Sequence, residues 1–278
     1  MRLLLNPISQ KRYDSIVKNP PQSILLIAPT GSGKSTILDN LSEDVTGKDN
    51  AGRIIELKPL EGKNSIGIEQ VRELKRLLRL KSALKRVILI KNAGVMTIEA
   101  QNSLLKILEE PPKNAHFLMS VDTSNQVLDT ITSRTSTWRL NPPTEKQLRD
   151  YFKNYPLDEL NKALSIGSGR TGLICSMLKE QQTHPLIQSI DVAKEILAEN
   201  RFERLLRIDL LNKDSTQAKL VIEALTLVCK SALEASAAKN SSSAQQWHKR
   251  LKSTTQAQRW LENNVQPKLV LSHLFIVL

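Results

Sequence analysis

The chain has 278 residues, 40% of them hydrophobic and 24% charged, an ordinary globular balance that excludes collagen, wholesale disorder and a disulfide scaffold and suggests two domains or three small ones. Forty Lys and Arg against 28 Asp and Glu give a net charge of +12, which favours polyanionic partners; only 4% of residues are aromatic, so nucleic acid is expected to be held through phosphates rather than stacked bases. The two cysteines, Cys175 and Cys229, lie far apart with no CxxC spacing, which leaves no cysteine zinc site and points to a reducing compartment.

In chain order, Arg2-Leu3-Leu4-Leu5 is cut off by Asn6-Pro7 before a signal-peptide core can form. Residues Ser23 to Ala28 (SILLIA) read as a fully buried strand. A glycine-rich turn follows, then a helical pattern from about Lys34. Further on come a helix over roughly Ile66 to Leu80, a strand over Val87 to Ile90, a helix over Ile98 to Glu110 and a strand over Phe117 to Val121. Thr97 is the expected N-cap of the second helix, with Glu99 in its first turn and Pro111-Pro112 as its stop. Strands alternating with helices predict an α/β fold with a mostly parallel sheet.

After Asn141-Pro142-Pro143 only helical periodicity follows, opened by a capping-box spacing at Thr144 to Gln147. Pro156 and Gly167-Ser168-Gly169 punctuate a small helical unit, Pro185 opens a second all-helical segment, and Asn240 to Ser243 is an expected inter-helix loop. The final apolar run, Leu269 to Leu278, includes Ser272 and His273 and falls short of the roughly 18–20 residues a bilayer requires. The expectation is a soluble cytoplasmic protein with an α/β domain over 1–142, a small helical domain over 143–183 and a C-terminal helical domain over 184–278.

The turn Thr30-Gly31-Ser32-Gly33-Lys34-Ser35-Thr36, between a buried strand and a helix, has the context of a P-loop. Backbone N–H groups and the helix N-terminus suit phosphate oxygens, Lys34 suits the β/γ-phosphates, and Ser35 offers a hydroxyl to Mg²⁺. The pattern GxxxxGK[ST] is met except at its first position, Ala28. The strand Val87 to Ile90 is followed by Lys91-Asn92, where an Asp-Glu pair is expected. Lys91 cannot ligate Mg²⁺ and Asn92 cannot take a proton from water. Lys91 either compensates phosphate charge or points to solvent. The loop can take ATP or ADP, but the site makes poor provision for Mg²⁺, and hydrolysis looks disabled.

Four segments resemble the bacterial clamp-loader AAA+ family, the delta-prime and gamma/tau subunits of DNA polymerase III. They are Ile98 to Pro112 (IEAQNSLLKILEEPP), Ser65 to Leu74, Thr132-Ser133-Arg134-Thr135 in place of the family's Ser-Arg-Cys motif, and Gly167-Ser168-Gly169-Arg170 at the second sensor. The similarity runs in order across about Asn6 to Met177, whereas the last hundred residues match only in position and helicity. The resemblance implies an AAA+ P-loop domain, a helical lid over 143–183 and a collar-like oligomerisation domain over 184–278. It implies that Lys34 and its loop hold phosphates in cis, that Arg170 reaches them from the lid, and that Arg134 is an arginine finger acting on a neighbouring subunit. The missing acids after Ile90 fit the delta-prime type better than gamma/tau. The family's zinc-binding cysteine cluster is absent, since Asp39 to Arg53 contains no cysteine.

Arg72, Lys75, Arg76 and Arg79 fall on one helical face, opposite Val71, Leu74 and Leu78, within a basic stretch that continues through Lys81, Lys85 and Arg86. This stripe either follows a duplex backbone or is a solvated face. His116, His184, His248 and His273 have no metal-site spacing, and Trp247 and Trp260 are expected to be packing residues. The combined expectation is a delta-prime-like clamp-loader subunit without its own ATPase turnover. Its implied partners are ATPase motor subunits, a delta-like subunit, the sliding clamp and primed DNA, with no membrane. The alternatives are a gamma/tau-like ATPase motor and a stand-alone duplex-DNA-binding protein on an AAA+ scaffold.

Overall fold

In the computed structural model, which describes residues 3–47, 53–80, 84–179, 184–212, 215–239, 241–263 and 265–278, the SILLI run is strand β1 (Ser23–Ile27), buried along its whole length. It is flanked by helices α1 (Pro7–Lys18) and α2 (Lys34–Thr46) and followed in order by β2 (Arg53–Glu56), α3 (Ile68–Arg79), β3 (Arg86–Ile90), α4 (Ile98–Glu109), β4 (Ala115–Val121), α5 (Asp129–Ser133) and β5 (Ser136–Arg139). The strands pair in parallel in the order β2-β3-β4-β1-β5.

The continuous apolar character of β1, β3 and β4 has a direct cause: both faces of the sheet are covered. Leu25, Ile27, Ile88, Ile90, Phe117 and Met119 enter one core layer with α3 and α4. Their neighbours Ile24, Leu26, Val87, Leu89 and Leu118 enter the opposite layer with α1 and α2. The two-residue strand period sorts one apolar run into two cores.

The expected helices and central strands are present, with shifted ends. Helix α3 starts at Ile68, because Ile66 is held in a parallel bridge to Met96. The cap at Thr97 forms, its side chain accepting from the Ala100 N–H. Three elements go beyond the sequence reading. Asn6-Pro7 is a helix start as well as the end of an apolar run, with the Asn6 side chain capping the Ile8 N–H and Pro7 in the first turn of α1. Strands β2 and β5 are four-residue edges, and β2 is largely exposed, so neither has an apolar run to announce it.

The chain divides into two units, residues 1–147 and 148–278. Helix α6 (Glu145–Tyr151) straddles that division and begins with the expected capping box, Thr144 and Gln147 bonding reciprocally. The second unit continues with α7 (Leu157–Gly167), α8 (Thr171–Leu178), α9 (Pro185–Ala198), α10 (Arg201–Leu206), α11 (Ile208–Leu211), α12 (Ser215–Ala238), α13 (Ala244–Glu262) and α14 (Pro267–Val277). Its core draws on Leu173 of α8, Ile190 of α9, Leu225 of α12, Leu261 of α13 and Phe275 of α14. The boundary expected at 183, Lys81 of the basic stretch and Asn240 of the expected loop all lie outside the described residues. No described helix is long and apolar enough to cross a membrane.

Candidate nucleotide site

The chain leaves β1 toward β2 at one edge of the sheet and leaves β4 toward β5 on the other side of β1. Adjacent strands whose connections depart in opposite directions open a crevice at their carboxyl ends, where open α/β sheets bind ligands. The turn Pro29 to Gly33 occupies that crevice edge. Gly31 and Gly33 both take positive φ, 83° and 87°, which glycine adopts without a Cβ penalty. Gly33 is the N-cap of α2 and gives it no side-chain cap, so the first N–H groups of α2 remain available to an anion. This cradle fits phosphate oxygens.

Lys34 stands at the first position of α2. Its ammonium donates to the carbonyls of Ala28 at 2.6 Å and Pro29 at 3.2 Å, and forms a 2.6 Å ion pair with Asp122, just beyond β4. Its three protons therefore have three acceptors within the chain. Ser35 and Thr36 are exposed.

At the end of β3, Lys91 lies between Asp39 of α2 at 2.8 Å and Glu56 of β2 at 3.4 Å. It does not point freely to solvent. Burial works against its charge, but hydrogen bonding and Coulomb attraction from Asp39 and then Glu56 prevail, so its pKa lies above that of an ordinary lysine. The Asn92 side chain accepts from the Gly94 N–H at 3.2 Å and caps a short turn. Neither residue suits a divalent cation, and among the described residues no group of three His, Cys, Asp or Glu could hold a metal.

The remaining candidates fall into separate settings. Arg134 caps α5 and is exposed, with its guanidinium 2.7 Å from Glu109 and bonded to the Thr130 carbonyl at 3.2 Å. Arg170, in the second unit, follows the left-handed residues Ser168 and Gly169, opens α8 and pairs with Glu223 of α12 at 2.5 Å. On α3, Arg72 pairs with Glu69 and Arg76 with Glu73, while Val71, Leu74 and Leu78 are buried. Arg79 is exposed and Lys75 half-buried.

Arg86, which continues the basic stretch in sequence, is buried. Its guanidinium donates to the carbonyls of Leu77, Leu78 and Leu80 at the end of α3. Trp247 lies beneath the Arg250 guanidinium, and Trp260 packs edge-on against His273.

Asp122, Asp39, Glu56, Glu109 and Glu223 are the residues that sequence reasoning did not single out. Two had a local signal: Asp122 directly follows the apolar run of β4, and Glu109 belongs to the LKILEEPP string. The others become partners only through the tertiary fold.

Comparison with known proteins agrees with this architecture. A family profile described as DNA polymerase III, delta subunit, matches residues 51–144. The DNA polymerase III subunit delta' of Haemophilus influenzae is 35% identical over 130 residues, covering 45% of this chain and 39% of that protein. The corresponding subunit of Escherichia coli is 30% identical over 128 residues, covering 44% and 38%. The alignments thus span about two fifths of those relatives' lengths. Over nearly the whole chain, a Thermotoga maritima DNA polymerase III gamma subunit-related protein shares the fold, with a TM-score of 0.55, 22% identity and 96% coverage of each chain. The fold is an AAA+ α/β domain followed by an all-α region. Through that α/β domain, with its glycine-rich turn at the crevice and its LLKILEEPP helix, this chain is similar to subunits of the clamp-loader AAA+ family.

Proposed function

We propose that this chain is a delta-prime-like subunit of a DNA polymerase III clamp loader, acting in the cytoplasm to help place a sliding clamp on primed DNA. In this reading it contributes an arginine finger to a neighbour and does not turn over ATP itself. The observation that carries it is the end of β3, where the ammonium of Lys91 sits between Asp39 and Glu56 and Asn92 is engaged in a turn. A hydrolytic site needs there a carboxylate for the metal and a base for water.

The loop from Thr30 to Thr36 binds ATP or ADP through backbone N–H groups and Lys34, with Mg²⁺ contributing little. Mg²⁺, where a site does hold it, neutralises charge building on the phosphates. Lys34 turns from Asp122 to the β/γ-phosphates, and Arg170, paired with Glu223 in the second unit, is a further phosphate-binding arginine. Arg134, held at the surface by Glu109, offers its planar fork to the phosphates of an adjacent ATPase subunit. The α3 stripe of Arg72, Lys75, Arg76 and Arg79 follows the backbone of the primed duplex, and the C-terminal helices join the subunits.

The test begins with a tagged chain isolated from its host. One copy recovered with several ATPase subunits and a delta-like subunit is the expected result; recovery alone or as a homo-oligomer overturns the reading. In the recovered assembly, Arg134→Ala silences the one ATPase site it serves, by about 10³-fold or more at that site. Arg134→Lys does not restore it, and Lys34→Ala leaves hydrolysis intact. The intact Lys34 and Arg170 favour the alternative, a gamma/tau-like motor, which predicts that Lys34→Ala abolishes turnover.

A further inference from the structure

The positive charge of this chain is unevenly answered by carboxylates. On α3, Glu69 and Glu73 each take one arginine of the stripe into an i,i+3 pair. On α13, Lys249, Lys252 and Arg259 are all exposed, and none forms an ion pair with a described residue. Glu262, at the very end, is the only carboxylate in that helix.

Positions 245, 249, 252, 256 and 259 step by four and three, the spacing of one helical face. They are Gln245, Lys249, Lys252, Gln256 and Arg259, all exposed, while Thr254, Ala257 and Leu261 bury the opposite face. At 1.5 Å per residue, Lys249 and Arg259 stand roughly 15 Å apart along the axis. A DNA duplex presents one phosphate charge per about 1.7 Å of its length. The glutamines add neutral donors suited to phosphate oxygens.

We propose that this face of α13 docks the phosphate backbone of duplex nucleic acid. Recognition is of charge and shape, without base reading, because the face offers cations and amides but no aromatic ring. Trp247 is covered by the Arg250 guanidinium, 4.9 Å from its ring centre, and Trp260 is spent against His273. Single-strand stacking is therefore not its chemistry. The surface lies in the all-α region, apart from the α3 stripe, and does not depend on clamp-loader membership.

The test is fluorescence anisotropy of a labelled 20-base-pair duplex of mixed sequence with the full chain, between 50 and 200 mM NaCl. The triple variant Lys249→Gln/Lys252→Gln/Arg259→Gln is compared with wild type and with Arg72→Gln/Arg76→Gln. All three α13 positions are exposed and glutamine is a good helix former, so circular dichroism and the melting temperature stay unchanged. The α13 variant is expected to flatten the plot of log affinity against log salt by about 2 to 3, near 0.9 for each phosphate no longer neutralised. Its affinity at 100 mM falls about tenfold or more, and the α3 variant changes less. The proposal is overturned by a folded α13 variant with wild-type slope, or by a wild-type chain that does not bind duplex at 50 mM. It is overturned equally if the three cations govern binding to vesicles of anionic phospholipid but not to duplex. A chain that recruits no clamp-loader subunits yet shows the flattened slope refutes the functional reading above and leaves this surface standing.

Discussion

Lys34 and Asp122 form an ion pair with which a phosphate arriving at the glycine-rich turn has to compete. With every proton of Lys34 already accepted within the chain, a phosphate gains the lysine only by displacing Asp122. Asp122→Asn is therefore expected to tighten ATP or ADP binding, about tenfold on the scale of one charge-assisted hydrogen bond, and Lys34→Ala to abolish it. Titration with a fluorescent nucleotide measures both, and an Asp122→Asn affinity equal to wild type refutes the competition. The lysine was legible from its motif, whereas its counter-ion lies 88 positions away and becomes visible only once β1 and β4 are paired. Lys91 shows the same asymmetry: its misfit to metal chemistry was plain in the sequence, its two carboxylate partners were not. Cys229 gives a residue-scale pH prediction. Burial chiefly, against a small opposing effect of the Arg250 charge, raises its thiol from 9.0 to about 11. Because the folded state keeps that proton longer, the stabilisation is complete below pH 9 and is lost as pH rises through 11. Urea unfolding at pH 8 and 11 should show wild type losing up to about 3 kcal/mol more than Cys229→Ala.

At the scale of elements, buried strands were easy to see and edges were not. An apolar run such as Val87 to Ile90 announces itself because both faces of β3 are covered. Edge strands β2 and β5 have half their surroundings open, so Arg53, Glu56, Ser136 and Arg139 serve there as well as aliphatics would. Arg86 shows composition misleading in the other direction. In sequence it extends a basic stretch; in the fold it is the C-terminal cap of α3, closing three carbonyls that the helix leaves open. Arg86→Leu should thus destabilise the first unit by about 2–4 kcal/mol, the cost of buried carbonyls left without donors. Chemical denaturation reads this directly, and a loss under about 0.5 kcal/mol contradicts the cap.

The molecule as a whole divides into two units, each with its own tryptophans. Trp138 is buried in the first unit, and Trp247 and Trp260 belong to the second. A Trp247→Phe/Trp260→Phe chain reports on the α/β unit alone, and Trp138→Phe on the helical unit. Two separate urea midpoints are expected from these two fluorescence reporters, and saturating nucleotide is expected to raise the first. Superimposable curves argue for a single cooperative block. The alternation of strands and helices made the first unit legible as α/β, while the packing of α9 to α14 rests on side-chain complementarity that no motif marks.

The pairing of β1 also bears on how the protein is made. Its partners are encoded well downstream: Ser23 faces Phe117 and Ile24 faces Ser136. At a synthesis rate of about 5–20 residues per second, the SILLI segment emerges roughly 5–20 s before both neighbours exist. During that interval an uncharged, β-prone pentapeptide with unpaired backbone on both sides waits in water. The strand that leads into the glycine-rich turn is thus the one most exposed to mispairing on the ribosome, and a nascent chain halted before Val121 is a natural client for a chaperone that shields extended apolar segments.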